Sequence, residues 1–170
     1  MGRPRESRSR IPNHAPSASP DDMNAAWGDK YRAAKPARVT VLEKPFAGLH
    51  EGARLFIASP KVIDAYLRAI PPGKTKDVTA MRAALAKKNK AEATCPTSTA
   101  IFMRIVAECA LERVAAGEAV SAVPPFWRVV DAESSLAQKL SCGPEFIAAQ
   151  RALEAPEKPV KTPKKKAAAA

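Results

Sequence analysis

Three thiols, two imidazoles and one aromatic stretch around an arginine are the places where this chain could do chemistry. A cysteine becomes a nucleophile when a base, a cation or a helix N-terminus lowers its pKa. Cys95 has such a setting, just before Pro96 at an expected helix start and close behind Lys90, and is the one candidate for a reactive thiol. Cys109 falls on the apolar side of the helix that follows and is expected in the core, and Cys142 sits beside Gly143 with no base in view. No two cysteines have Cys-x-x-Cys spacing, and His14 and His50 lie far from all three, so neither a zinc site nor any other metal or cofactor is expected. An odd number of thiols fits a reduced, cytosolic compartment. The aromatic stretch is Pro124-Pro125-Phe126-Trp127-Arg128-Val129-Val130. Its prolines fix φ and disfavour helix, while Phe, Trp and Val favour a pleated, half-buried strand. From composition alone it reads as a core strand behind a diproline turn, with Arg128 as its one charge.

The chain that must position these groups has 170 residues, enough for one domain with tails. Only 5% of it is aromatic, so one modest core is expected. Its net charge of +11 is unevenly spread. Arg3, Arg5, Arg8 and Arg10 against Glu6 give +3 at the N-terminal end, and Lys158, Lys161, Lys164, Lys165 and Lys166 give +5 over residues 158–170. Charge concentrated in arms points to a polyanion, with nucleic acid the first candidate and anionic membrane the second. No apolar run approaches the ~18 residues that a membrane span needs, and no signal peptide is expected.

Read in order, residues 1–22 are expected to be a disordered basic tail, because Pro4, Pro12, Pro16 and Pro20 with intervening serines leave nothing to bury. A small α/β extension is expected over residues 23–58. It consists of a helix over 24–35 capped by Asn24, a strand at Val39–Leu42 and a second strand at Arg54–Ala58. Ser59-Pro60 opens a helix that Pro71-Pro72-Gly73 stops. Thr79 is expected to cap a second helix, and a basic turn of Lys87, Lys88, Asn89 and Lys90 follows it. A third helix starts near Cys95-Pro96 with Ile101, Phe102, Ile105, Val106 and Cys109 on its apolar side. After the aromatic stretch, Asp131–Ser134 reads as a turn and Glu145–Glu154 as a last helix.

Helix, short helix, basic turn, helix and then an extended wing is the order of a winged helix-turn-helix. The fold class is therefore α+β, mainly helical, with the small N-terminal α/β extension and disordered basic tails. The helix from Pro96 becomes the recognition helix, and its first turn offers the hydroxyls of Thr97, Ser98 and Thr99 to phosphates or base edges. The cations Lys74, Lys76, Arg82, Lys87, Lys88 and Lys90 against Asp77 give +5 over residues 74–90, where such a domain meets the DNA backbone.

From Ile70-Pro71-Pro72-Gly73-Lys74 to Pro125-Phe126-Trp127-Arg128-Val129-Val130, and on to Gly143 and Gln150-Arg151-Ala152-Leu153-Glu154, the chain resembles the DNA-binding domain of O6-alkylguanine-DNA alkyltransferases. It also resembles their catalytically silent relatives, the alkyltransferase-like proteins. The resemblance covers residues 59–155 and implies double-stranded DNA as the partner, with a role in DNA repair or damaged-base recognition. The family's Pro-Cys-His-Arg motif keeps its proline at Pro125 and its arginine at Arg128, but Phe126 stands for the acceptor cysteine and Trp127 for the histidine. Phenylalanine offers no nucleophile and tryptophan no base, so no enzyme activity is expected at this position. The resemblance puts Val78 where the family has a nucleotide-rotating tyrosine. Thr99 is nearest the family's intercalating arginine, with Arg104 further along the helix. Phe126, Trp127 and Arg128 are then expected to line the remnant of the base pocket, with Arg128 holding the wing through backbone carbonyls.

Residues 156–170 resemble the Lys-Pro-Ala tails of linker histones and bacterial nucleoid proteins, which implies sequence-independent phosphate binding by Lys164, Lys165 and Lys166. Two functions lead on the sequence, and behind them stand an enzyme that uses Cys95 and a protein-interaction module with no nucleic-acid partner. One is a DNA-binding protein related to an inactive alkyltransferase. The other is a nucleoid-associated architectural protein that binds through its tails. Both place the chain in the cytoplasm on DNA, without membrane or metal, and neither names a protein partner.

Overall fold

The computed structural model describes residues 20–155 of the chain, with side chains from Trp27 onward. The expected tails at 1–19 and 156–170 lie outside the described residues, as do Lys164, Lys165 and Lys166. The fold is α+β and mainly helical, with one small three-stranded sheet.

Helix α1 runs over Pro20–Ala33, so it begins before the expected Asn24 cap and takes in residues assigned above to the tail. Strand β1 (Arg38–Val41) pairs antiparallel with β2 (Arg54–Ile57), in line with the two strands expected there. Helix α2 (Pro60–Arg68) starts where Ser59 and Pro60 require: the Ser59 side chain accepts from the Val62 N–H, and Ile63 and Leu67 bury one face. Helix α3 (Val78–Lys88) is capped by Asp77 rather than Thr79, because the Asp77 carboxylate already accepts the Ala80 N–H at 2.6 Å. Strand β3 (Ala93–Thr94) has no counterpart among the expected elements. It pairs parallel to β2, Leu55 against Ala93 and Phe56 against Thr94. Helix α4 (Pro96–Ala115) is the long central helix and packs against α1 and α2. Helix α5 (Ser135–Lys139) is capped by Ser134, and α6 runs over Gly143–Glu154.

The extended wing is not formed. Residues 120–130 hold two 3₁₀ turns, Val120–Ala122 and Phe126–Arg128, and no strand. No neighbouring strand offers this segment a ladder, so its backbone closes on itself: the Phe126 carbonyl accepts the N–H groups of Val129 and Val130.

One core gathers residues from both sides of the expected boundary at position 58. Phe56 and Ala58 join Ile63, Leu67, Met103, Phe126 and Ile147 in a single cluster, with Tyr31 and Val39 packed on it. The N-terminal extension is thus a layer of the same body. The Tyr31 hydroxyl donates to Asp64 at 3.0 Å and ties α1 to α2. Burial first, then the Asp64 charge, pushes the Tyr31 pKa up to about 12.

Candidate nucleic-acid interface

The two rings of the aromatic stretch are packed into the core. Phe126 is 0% exposed and Trp127 is 3% exposed. Phe126 stacks on Phe146 with ring centroids 6.1 Å apart and meets Trp127 edge-on at 5.4 Å. Phe126 therefore does not line a base pocket as expected, whereas Trp127, although nearly buried, borders a cleft together with Arg128. The physical reason is the 3₁₀ turn, which swings Phe126 inward where a strand would have alternated.

Arg128 does hold this turn. Its guanidinium donates to the Ile70 carbonyl and forms a bidentate pair with Glu154, Nε to Oε2 at 2.8 Å and Nη2 to Oε1 at 2.7 Å. Glu154 also accepts from the Trp127 indole N–H at 3.0 Å and from the Gly73 N–H at 3.4 Å. The Arg128 hydrogen bonds hold the Glu154 carboxyl below its ordinary range, against the upward push of burial. Arg151, one turn earlier on α6, donates to the Trp127 and Val130 carbonyls and pairs with Asp131 at 2.9 Å. A cleft of about 530 Å³ lies beside this network, between Arg68, Pro72, Val120, Trp127, Gln150 and Glu154. The sequence alone gives no role to Arg151 or Glu154. Their spacing of three on one helix, with Arg128 in a proline-led turn to answer the glutamate, is the signal that could have found them.

The cations nominated from the sequence divide into two groups. Arg82 is committed to the fold: Nε and Nη2 donate to the Thr94 carbonyl at 3.2 and 3.1 Å, and the Thr94 hydroxyl returns a bond to the Arg82 carbonyl at 2.8 Å. This staple fixes how α3 passes through β3 into α4. Arg82→Ala is accordingly expected to cost about 1–2 kcal/mol in denaturant unfolding. Arg104 donates to the Lys139 carbonyl at 3.3 Å, lies 4.0 Å from Glu108 and sits over the Trp27 ring. Glu108 is itself buried and accepts from the Ser141 hydroxyl at 2.6 Å. By contrast Lys74, Lys76, Lys87, Lys88 and Lys90 are exposed and enter no ion pair among the described residues.

On α4, Thr97 is exposed and Ser98 half-buried, but Thr99 is fully buried and its hydroxyl donates to the Cys95 carbonyl at 2.7 Å. Thr99 is therefore removed from the surface set, because the helix turns that position onto the core. The exposed line of the first turns is Thr97, Ala100 and Ile101. Val78 opens α3, half-buried.

The chain matches no protein-family model, no curated protein and no solved structure.

The three thiols are unpaired and none is freely exposed. Cys95 is buried at the N-cap of α4, so it lacks the access that a reactive thiol needs. Burial pushes the Cys109 thiol up, and pushes Cys142 up to about 11. Among the described residues no three His, Cys, Asp or Glu side chains converge as a metal-holding group, and no helix is long and apolar enough to cross a membrane.

Proposed function

We propose that this chain binds double-stranded DNA through a helix-turn-helix of the alkyltransferase type, made by α3 and α4. In this reading it grips the phosphate backbone and neither accepts an alkyl group nor draws a base into a pocket. The observation that supports it is the division of the cations. The arginines that could read bases, Arg82, Arg104 and Arg128, are bound to carbonyls or carboxylates of the fold, whereas five lysines in the last turn of α3 and on either side of it are left to solvent. A lysine ammonium is a hydrated point charge suited to phosphate and not to a forked base contact. The exposed line of α4 adds one hydroxyl, Thr97, beside Ala100 and Ile101, so it has little with which to read base edges. With Phe126 sealed in the core and no β wing, the architectural role in the nucleoid is favoured over damaged-base recognition.

The test is a titration of labelled duplex DNA, plain and O6-methylguanine-containing, at several salt concentrations. Equal affinity for the two duplexes is expected. Replacing Lys74, Lys76, Lys87, Lys88 and Lys90 together by alanine is expected to flatten the slope of log K against log salt by about 4.5, at ~0.9 for each phosphate no longer neutralised. The melting temperature should stay unchanged, since none of the five side chains supports the fold. A flat titration would refute DNA binding, and tighter binding to the lesion would refute the closed-pocket reading.

A further inference from the structure

Strand β1 is an outer strand of the sheet, and one of its edges has no partner among the described residues. The ladder to β2 fixes which backbone groups point to that edge. The Leu42 N–H donates to the Ala53 carbonyl at 3.0 Å, and the Leu42 carbonyl accepts the Gly52 N–H at 2.7 Å. Leu42 therefore turns both groups toward β2, and by the alternation of an antiparallel pair so do Thr40 and Arg38. Val39 and Val41 turn theirs outward, where neither N–H has a partner among the described residues. Of the described elements only β2 packs closely on β1. The Val41 side chain is 60% exposed, and Phe46, just beyond the strand, is 42% exposed. An open edge beside exposed apolar side chains is a template for another strand.

The sequence around this edge is complementary to itself. Side chains alternate along an extended chain, so Lys35, Ala37, Val39, Val41 and Glu43 share one face. Ala37 and Val39 pack on the core there. Lys35 and Glu43 are exposed and enter no ion pair among the described residues. Pro36 holds Lys35 extended, and the N–H that proline lacks falls on the parity of Arg38 and Thr40, away from the open edge. Two copies joined edge to edge about a twofold axis run antiparallel, and the residue that meets itself sets the register. With Val39 opposite Val39, Ala37 meets Val41 and Lys35 meets Glu43, each twice. Centring on Thr40 sets Glu43 against Ala37, centring on Val41 sets Arg38 against Lys44, and centring on Arg38 sets two arginines together. Of these four registers, only the one centred on Val39 gives both exposed charges an opposite partner.

We propose that β1 pairs with β1 of a second copy of this chain, antiparallel and with Val39 opposite Val39, so that the two sheets become one. In this dimer the Val41 N–H donates to the Ala37 carbonyl across the axis, and Lys35 of each copy meets Glu43 of the other. A short edge buries little area, so the dimer dissociates with a Kd on the order of 10 µM. The rival occupant of the edge is residues 1–19 of the same chain, which would leave the protein monomeric.

The test is sedimentation equilibrium of the full chain from about 2 to about 200 µM, at about 0.1 M salt so that exposed charges still act. The apparent mass should rise from the 18.1 kDa of one chain toward twice that value. Lys35→Glu alone and Glu43→Lys alone should each weaken dimerisation by about ten-fold, because each sets like charges opposite one another twice. The two changes in one chain should restore it, since the pair is then only reversed. Val41→Pro removes an outward N–H and no ladder bond to β2, so that variant should keep its circular dichroism spectrum and stay monomeric. The charge exchange decides the matter even where the proline disturbs the hairpin. A chain that stays monomeric at about 200 µM, well above the expected Kd, would overturn the proposal. So would a dimer that a folded Val41→Pro variant retains, or a charge-exchanged chain that dimerises no better than the single variants.

Discussion

Phe126→Ala is expected to lower the unfolding free energy by about 3–5 kcal/mol, the range for emptying a large buried aromatic site. Phe126 is among the largest fully buried side chains, and it touches both other rings of its cluster, Trp127 and Phe146. Removing it leaves a cavity that the 3₁₀ turn cannot collapse into, because Arg128, Arg151 and the Lys76 N–H hold that turn from three sides. Against a usual margin of about 5–15 kcal/mol, the loss is large, and the melting temperature should fall by about 10 °C or more. Phe126→Cys tests the same geometry from the chemical side. It restores a thiol at the position that the alkyltransferase resemblance assigns to the acceptor, yet places it in a sealed core next to a tryptophan. It is expected to transfer no alkyl group from an O6-alkylguanine substrate, as read by mass spectrometry of the intact protein. Transfer by this variant would mean that the turn opens far enough for a base to enter.

Most of the helices can be read from the sequence because their ends carry local signals. Ser59-Pro60 and Cys95-Pro96 mark starts by proline geometry, which no tertiary contact has to supply. The apolar spacing of Ile63 and Leu67 likewise names a buried face before any partner is known. The departures have a common cause in long-range pairing. β3 is two residues long and exists because β2 accepts it, and two residues carry no periodicity. The Phe126–Val130 segment has strand composition, but a strand needs an open edge to join, and this segment instead meets a glutamate from α6, 26 residues on from Arg128. Thr99 departs from expectation for a smaller reason: its neighbours Thr97 and Ser98 share its chemistry, and only the helix phase separates the buried hydroxyl from the exposed one. The same phase divides structural cations from free ones. Arg82 and Lys87 look alike in a charge count, yet one is tied to the Thr94 carbonyl and the other faces water.

Glu154→Ala should be nearly as damaging as the loss of Phe126, and its pH dependence identifies the cause. Arg128 and Glu154 are largely buried, with side chains 12% and 17% exposed, so removing one partner strands the other charge. The cost of breaking such a pair is about 3 kcal/mol or more. The Glu154 carboxyl is held below its ordinary value in the native state, first by the Arg128 hydrogen bonds and, against burial, also by the Trp127 indole. A depressed pKa means that the unfolded chain binds the proton more tightly. The stabilisation is therefore complete above the ordinary value of 4.5 and is lost as pH falls through the lower native value. Glu118 and Asp131 are also depressed, Glu118 first by its Arg113 hydrogen bond and Asp131 first by the Glu133 N–H and then by Arg151, so the parent protein should lose stability on acidification from several sites. The difference between parent and Glu154→Ala isolates the one carboxylate: large at neutral pH, it should shrink steadily below about pH 4.5, followed by urea unfolding across the acid range. A difference that stays constant with pH would mean that Glu154 acts by packing alone. The Arg128 pair would then have no part in holding the end of α6 against the Gly73–Lys76 loop.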